Sequence, residues 1–388
     1  MAERGEAIEQ CWNKLSLKDH EDEESIYKLF LRKNKVAIAM LRQSLEGSYN
    51  CRIRWVKIDA ADINFPQPFS SSTILFGKDK SGLNYRLRTV FKKAYNVLDA
   101  YFSSDPDDPI LPEDPNVKRA LELLLRFVMN SEKVWNALYE GEKKGEWNWT
   151  LRLAQHVFTQ LSLYPKYKYD ISKDYRRLGC PCLQGDKILG ERDDTSFGWE
   201  NGWHGKVDIL MAGIPVYETA EKGEESSQLF KTDSESSISC ENKDKGTTFS
   251  YREYGQIGAE TISFSFLKNR DKNSDISMIP SIAVTKELVQ IHFYDSINDI
   301  FLQSGPVKLS AGSYGEDIFS FPATLLIWLT VNYNLFYTGI ERLPKSGLHE
   351  LINVEKLSKE IKAPCHWKKD NDQSWFLNSD WCTALFYD

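Results

Sequence analysis

The run from Ile318 to Ile340 contains no charged side chain, and no other feature of the sequence limits its folding so sharply. A stretch of that length either spans a bilayer or fills the centre of a protein large enough to hide it. Three residues inside it decide. Pro322 lacks an N–H, and Asn332 and Asn334 carry amides that hydrocarbon would leave unmet. No basic cluster flanks the run, as a membrane orientation signal would require. The segment Phe319–Tyr337 therefore predicts a buried core helix in a protein without membrane contact. Composition allows it, since the chain is 41% hydrophobic with 11 Trp, enough apolar surface for a large core.

Hydrophobic spacing predicts further helices over Glu24–Leu45 (with Gly47 as a stop), Leu87–Phe102, Val117–Leu138 and Trp149–Leu163. Cys51–Ile58 alternates as a strand does. Met278–Val284, Leu288–Tyr294 and Ile300–Gln303 are β-branched and aromatic, with Asp295–Asp299 as a turn, and predict a meander that extends a sheet. Pro106, Pro109 and Pro112 among acidic residues mark a loop over Ser103–Asp114. Between Thr219 and Ser250 the composition shifts to Ser, Glu, Lys and Asp, which predicts a disordered insertion. The expected organisation is a mainly helical region over 1–115, an α/β core over 116–345 interrupted near 219–250, and an aromatic tail over 346–388. Trp367, Trp375, Phe376, Trp381 and Phe386 make that tail too apolar for solvent, so it packs back or meets a protein partner.

A net charge of -7 excludes a general polyanion binder, so any phosphate contact must be local. The strip Tyr164–Arg177 is the candidate for nucleic acid. Lys166, Lys168, Lys173, Arg176 and Arg177 can take phosphates, and interleaved tyrosines can stack on bases. Asp170 and Asp174 dilute the strip, and a solvated face is the plainer reading. Seven cysteines at scattered spacing, with no apolar leader over Met1–Glu6, favour a reduced intracellular setting, cytoplasm or nucleus. Cys180-Pro181-Cys182 could seed a metal site, but no second pair follows at zinc-finger spacing, and it reads as a plain loop.

Chemistry concentrates on a hairpin. Lys206–Met211 and Val216–Ala220 read as strands joined through Ala212-Gly213-Ile214-Pro215. A two-residue turn pairs Met211 with Ile214 and puts Asp208 opposite Tyr217. A three-residue loop instead pairs Asp208 with Glu218 and Lys206 with Ala220. The second register sets two carboxylates about 5 Å apart, repulsive without a counter-ion, which Mg²⁺ or Mn²⁺ would supply.

The order of strand with Asp208, short turn, strand with Glu218 and helix with Gln256 resembles the PD-(D/E)XK phosphodiesterase superfamily, and its RecB-like branch through Gln256-Ile-Gly-Ala-Glu260. The resemblance implies a central mixed sheet flanked by helices, Asp208 and Glu218 as ligands of Mg²⁺ or Mn²⁺, and Gln256 or Glu260 completing a site that cleaves nucleic acid. His156 would match a histidine that some RecB-like members place on an early core helix. The pattern departs where the motif's lysine should stand, because that position is Ala220. Lys206 is the candidate replacement, provided the three-residue register holds. Two functions follow: a metal-dependent phosphodiesterase, or a degenerate nuclease-like protein that keeps the fold to bind nucleic acid or protein.

Overall fold

The computed structural model describes residues 23–77, 82–139, 146–170, 180–182, 188–211, 214–218, 249–270, 276–311 and 318–362. The fold is mixed α/β, centred on a ten-stranded sheet. Its strands are β1 (Arg52–Val56), β2 (Asn84–Arg86), β3 (Tyr167–Asp170), β4 (Glu191–Asp193), β5 (Ile209–Met211), β6 (Ile214–Glu218), β7 (Met278–Val284), β8 (Leu288–Asp295), β9 (Ile300–Ser304) and β10 (Val307–Lys308). They lie in the order β2-β1-β9-β8-β7-β6-β5-β3-β4, with β10 beside β8. The β6–β7 and β3–β4 pairs are parallel, and the other pairs are antiparallel.

Every residue of β7 and β8 is buried, which explains why both read as near-continuous apolar runs. Both faces of the sheet are covered. Val289, Ile291 and Phe293 join a core shared with the helices α1 (Glu23–Lys33), α2 (Lys35–Leu45), α3 (Lys92–Ser103), α4 (Pro115–Met129), α5 (Ser131–Tyr139) and α6 (Glu146–Leu153). Leu288 and Tyr294 project to the opposite face, where α7 (Tyr251–Asn269) packs. A capping box between Ser250 and Glu253 starts α7. Gly255 lets it approach closely, since a Cβ there would sit 2.5 Å from the Ser72 carbonyl oxygen. The small sheet formed by Ser196–Gly198, Trp203–Lys206 and Gln67–Pro68 lies on this side too, with Phe197 and Trp203 in the same core as α7.

The uncharged run forms α8 (Phe321–Val331) and a short helix, Tyr333–Phe336, split at Asn332. All of α8 beyond Phe321 is buried. Ser320 caps it by accepting from Ala323 N–H, and Trp328 Nε1 donates to the Ala120 carbonyl at 2.8 Å. The Asn332 amide donates to the carbonyls of Leu161 (2.8 Å) and Trp328 (2.9 Å) and accepts from Leu163 N–H (3.0 Å). The protein thus provides every partner that hydrocarbon would have denied it. Among the described residues, no helix is long and apolar enough to cross a membrane.

Several expected elements divide. Glu24–Leu45 breaks at Asn34 and Val117–Leu138 at Asn130. Cys51–Ile58 ends in the large sheet at Val56, and Ile58–Ala61 pairs elsewhere with Ile74–Phe76. The expected strand Lys206–Met211 also splits, because Val207 and Asp208 leave the small sheet and turn into β5. The segment 219–248, the tail beyond 362, and Lys173, Arg176 and Arg177 lie outside the described residues.

Candidate functional site

The hairpin β5–β6 takes the two-residue register, with Ile209 opposite Val216, Leu210 opposite Pro215 and Met211 opposite Ile214. The three-residue register that would set Asp208 across from Glu218 is not adopted. Apolar burial explains the choice: Ile209, Met211, Ile214 and Val216 all enter one core in this register, and a one-residue slip would move one strand's set to the opposite face, away from that core. Glu218 closes β6 with its backbone level with Val284 of β7. Its side chain and Ala220 lie outside the described residues.

Asp208 has a different neighbour. The β3–β5 register pairs Ile209 with Tyr169, and one step further Asp170 N–H reaches the Asp208 carbonyl at 3.4 Å. Asp170 is buried and accepts a hydrogen bond from Lys206 Nζ at 3.1 Å. Lys206 therefore lies on the small sheet, opposite Ser196, with its ammonium engaged by Asp170. Next to this pair, Lys168 Nζ contacts Asp193 Oδ2 at 2.7 Å across the parallel β3–β4 pair. Of the described residues in the expected basic strip, Lys168 is thus tied inward and Lys166 is exposed.

The helix α7 closes the site from above. Gln256 and Glu260, one turn apart, meet through Gln256 Nε2 donating to Glu260 Oε1 at 3.1 Å. Glu260 is 1% exposed, and its Oε2 has no hydrogen-bond partner. Burial raises its carboxyl well above the usual range, and the charge of Asp208 adds to the rise, while the Gln256 bond opposes it. Glu260 thus favours its protonated form. Nearby on the same sheet face, His292 is buried with neither ring nitrogen bonded, and burial depresses it to about 3, so it stays neutral.

Mg²⁺ and Mn²⁺ require a tight shell of oxygen ligands, for Mg²⁺ near-octahedral at about 2.0–2.1 Å. The described carboxylates do not fit that demand. Asp170 is paired with Lys206, Glu260 favours its proton, and among the described residues no three carboxylates converge as a set of ligands.

The set that does converge joins His156 to the Cys180-Pro181-Cys182 segment that reads as a plain loop in the sequence. His156, Cys180 and Cys182 are all buried, and their ligand atoms lie within 4.8 Å of one another. His156 sits on a π-helical turn, Ala154–Phe158, that continues α6, and its Nε2 is 3.2 Å from Cys180 Sγ. Spacing alone concealed the group, because the histidine is remote in sequence from the Cys-Pro-Cys and is brought to it by the turn at the end of α6. His204, by contrast, contacts the Gly202 carbonyl through Nδ1 at 2.9 Å, a local loop contact.

No family model matches the chain, and no curated protein or solved structure matches it either.

Proposed function

We propose that this chain is a nuclease-like protein with a degenerate site, which keeps the scaffold of the PD-(D/E)XK phosphodiesterases and acts by binding rather than by cleavage. What supports the scaffold is the order Asp208, tight turn, strand with Glu218 and α7 with Gln256, on a central mixed sheet with helices on both faces. What carries the loss of catalysis is Lys206. The lysine that would replace the one missing at Ala220 holds Asp170 instead, and the register it required is not formed. The net charge of -7 and the tie between Lys168 and Asp193 weigh toward a protein partner rather than nucleic acid.

A second reading, metal-dependent hydrolysis of phosphodiesters, rests on one observation: Glu260 Oε2 is buried without a hydrogen-bond partner, so an ion that displaced the Glu260 proton would meet an open oxygen. One experiment separates the two. The full chain is titrated with Mg²⁺ and Mn²⁺ in the presence of DNA and RNA, beside Asp208→Ala. The binding reading expects no cleavage by either protein. Cleavage by wild type that Asp208→Ala abolishes would establish the hydrolytic reading, and cleavage that survives the substitution would remove both accounts of this site.

A further inference from the structure

We propose that His156, Cys180 and Cys182 form a Zn²⁺ site that staples the connection between β3 and β4 onto the end of α6. A tetrahedral zinc with Zn–S of about 2.3 Å and Zn–N of about 2.0 Å sets its ligand atoms roughly 3.5–3.8 Å apart. Here the imidazole nitrogen and the Cys180 sulfur are 3.2 Å apart, and all three ligand atoms fall within 4.8 Å, so small shifts complete the geometry. The donor set selects the metal, because thiolate and imidazole favour Zn²⁺ over the hard ions Mg²⁺ and Mn²⁺.

Burial supports the same conclusion. The three residues are 4–6% exposed, and two thiolates with a neutral imidazole exactly cancel the charge of a divalent ion, so the low-dielectric site holds no net charge. The surroundings are built to hold the geometry. Arg152, one turn before His156, donates to the Pro181 carbonyl at 2.7 Å and to the Leu138 carbonyl at 3.2 Å, which fixes the loop between the two cysteines. Pro181 restricts the backbone between them. Gln155, next to His156, accepts from Leu189 N–H at 3.0 Å, so the π turn grips the same connection at a second point. Such turns recur at functional sites because the wider backbone turn re-aims a side chain. With three protein ligands among the described residues, a fourth position is left for water, an incoming group or a further residue of the chain.

The test uses full-length protein without a histidine tag, purified in chelator-free buffer and assayed for bound metal. The expected result is stoichiometric zinc, absent from Cys180→Ser/Cys182→Ser and retained by Cys51→Ser, which alters a buried cysteine outside the group. Should the double variant fail to fold, X-ray absorption at the zinc edge of wild type decides, with two sulfurs and one imidazole nitrogen expected. Wild type that stays zinc-free under excess zinc, zinc retained by the double variant, a different sulfur count, or a Cys180–Cys182 disulfide in the purified chain would each overturn the assignment.

Discussion

Replacing Glu260 by glutamine isolates the cost of the carboxyl buried under α7. The folded chain holds this proton more tightly than the unfolded chain, where glutamate titrates near 4.3. Unfolding therefore releases the proton between the two pKa values, and stability falls as pH climbs from about 4.3 through the folded value. Between the two values the folded chain keeps the proton, at about 1.4 kcal/mol per pH unit, and above the folded value it ionises an oxygen with no partner. An unmet buried acceptor costs about 1–3 kcal/mol, and more when charged. The amide and the protonated acid have the same shape, and both keep the acceptor for Gln256 Nε2, so the two proteins should match near pH 4. At pH 8 Glu260→Gln should be more stable by about 1–3 kcal/mol. With an unfolding entropy of about 2.1 cal/mol/K per residue, 388 residues unfolding together convert this to roughly 1–4 °C. Denaturant unfolding at a series of pH values, followed by tryptophan fluorescence, measures it directly. A variant with the wild-type pH slope, or one less stable than wild type at pH 8, would refute the argument that Glu260 is buried without a compensating partner.

Gly255→Ala should destabilise by about 1–3 kcal/mol, because its Cβ would press against the Ser72 backbone and push α7 off the sheet; denaturant melts would show it. Asn332→Leu leaves the Leu161 carbonyl and the Leu163 N–H without this partner and should cost about 2–4 kcal/mol, against little change if α8 were held by apolar contact alone. Glu122→Gln removes the charge that the guanidiniums of Arg119 and Arg126 share. Burial opposes ionisation of Glu122, but those partners outweigh it and hold the carboxyl below its usual range, so its stabilisation should fade as pH falls through that lowered value, a slope the glutamine variant lacks.

The elements with an unambiguous period were legible in the sequence. The meander β7–β8–β9 appears within a residue or so of its expected limits, because fully buried strands have few alternatives for Ile, Val and Phe. Helix breaks were not legible. Asn34, Asn130 and Asn332 each leave the helical region at φ -112, -108 and -115, and each turns its amide back to the carbonyl four residues earlier. The apolar pattern runs through all three, so periodicity cannot detect a side chain that competes with the backbone ladder. The site divides in the same way. Gln256 and Glu260 share a helix face by simple spacing, and they meet. The partners of Lys206 and His156 depend on tertiary neighbours, Asp170 from β3 and the Cys180–Cys182 loop, that no local pattern announces.

The placement of β1 bears on how the chain reaches this state. Ile53 stands opposite Ser304 and Val56 opposite Phe301, so one seam of the sheet joins segments made far apart in time on the ribosome. Until β9 emerges, β1 presents a bare edge, and α2 and α4 still wait for α8, which packs on both. Closing so long a loop makes assembly slow and gives chaperones a window in which to act. A fragment ending before β9 should therefore collect in aggregates, even though its helices have most of their own sequence.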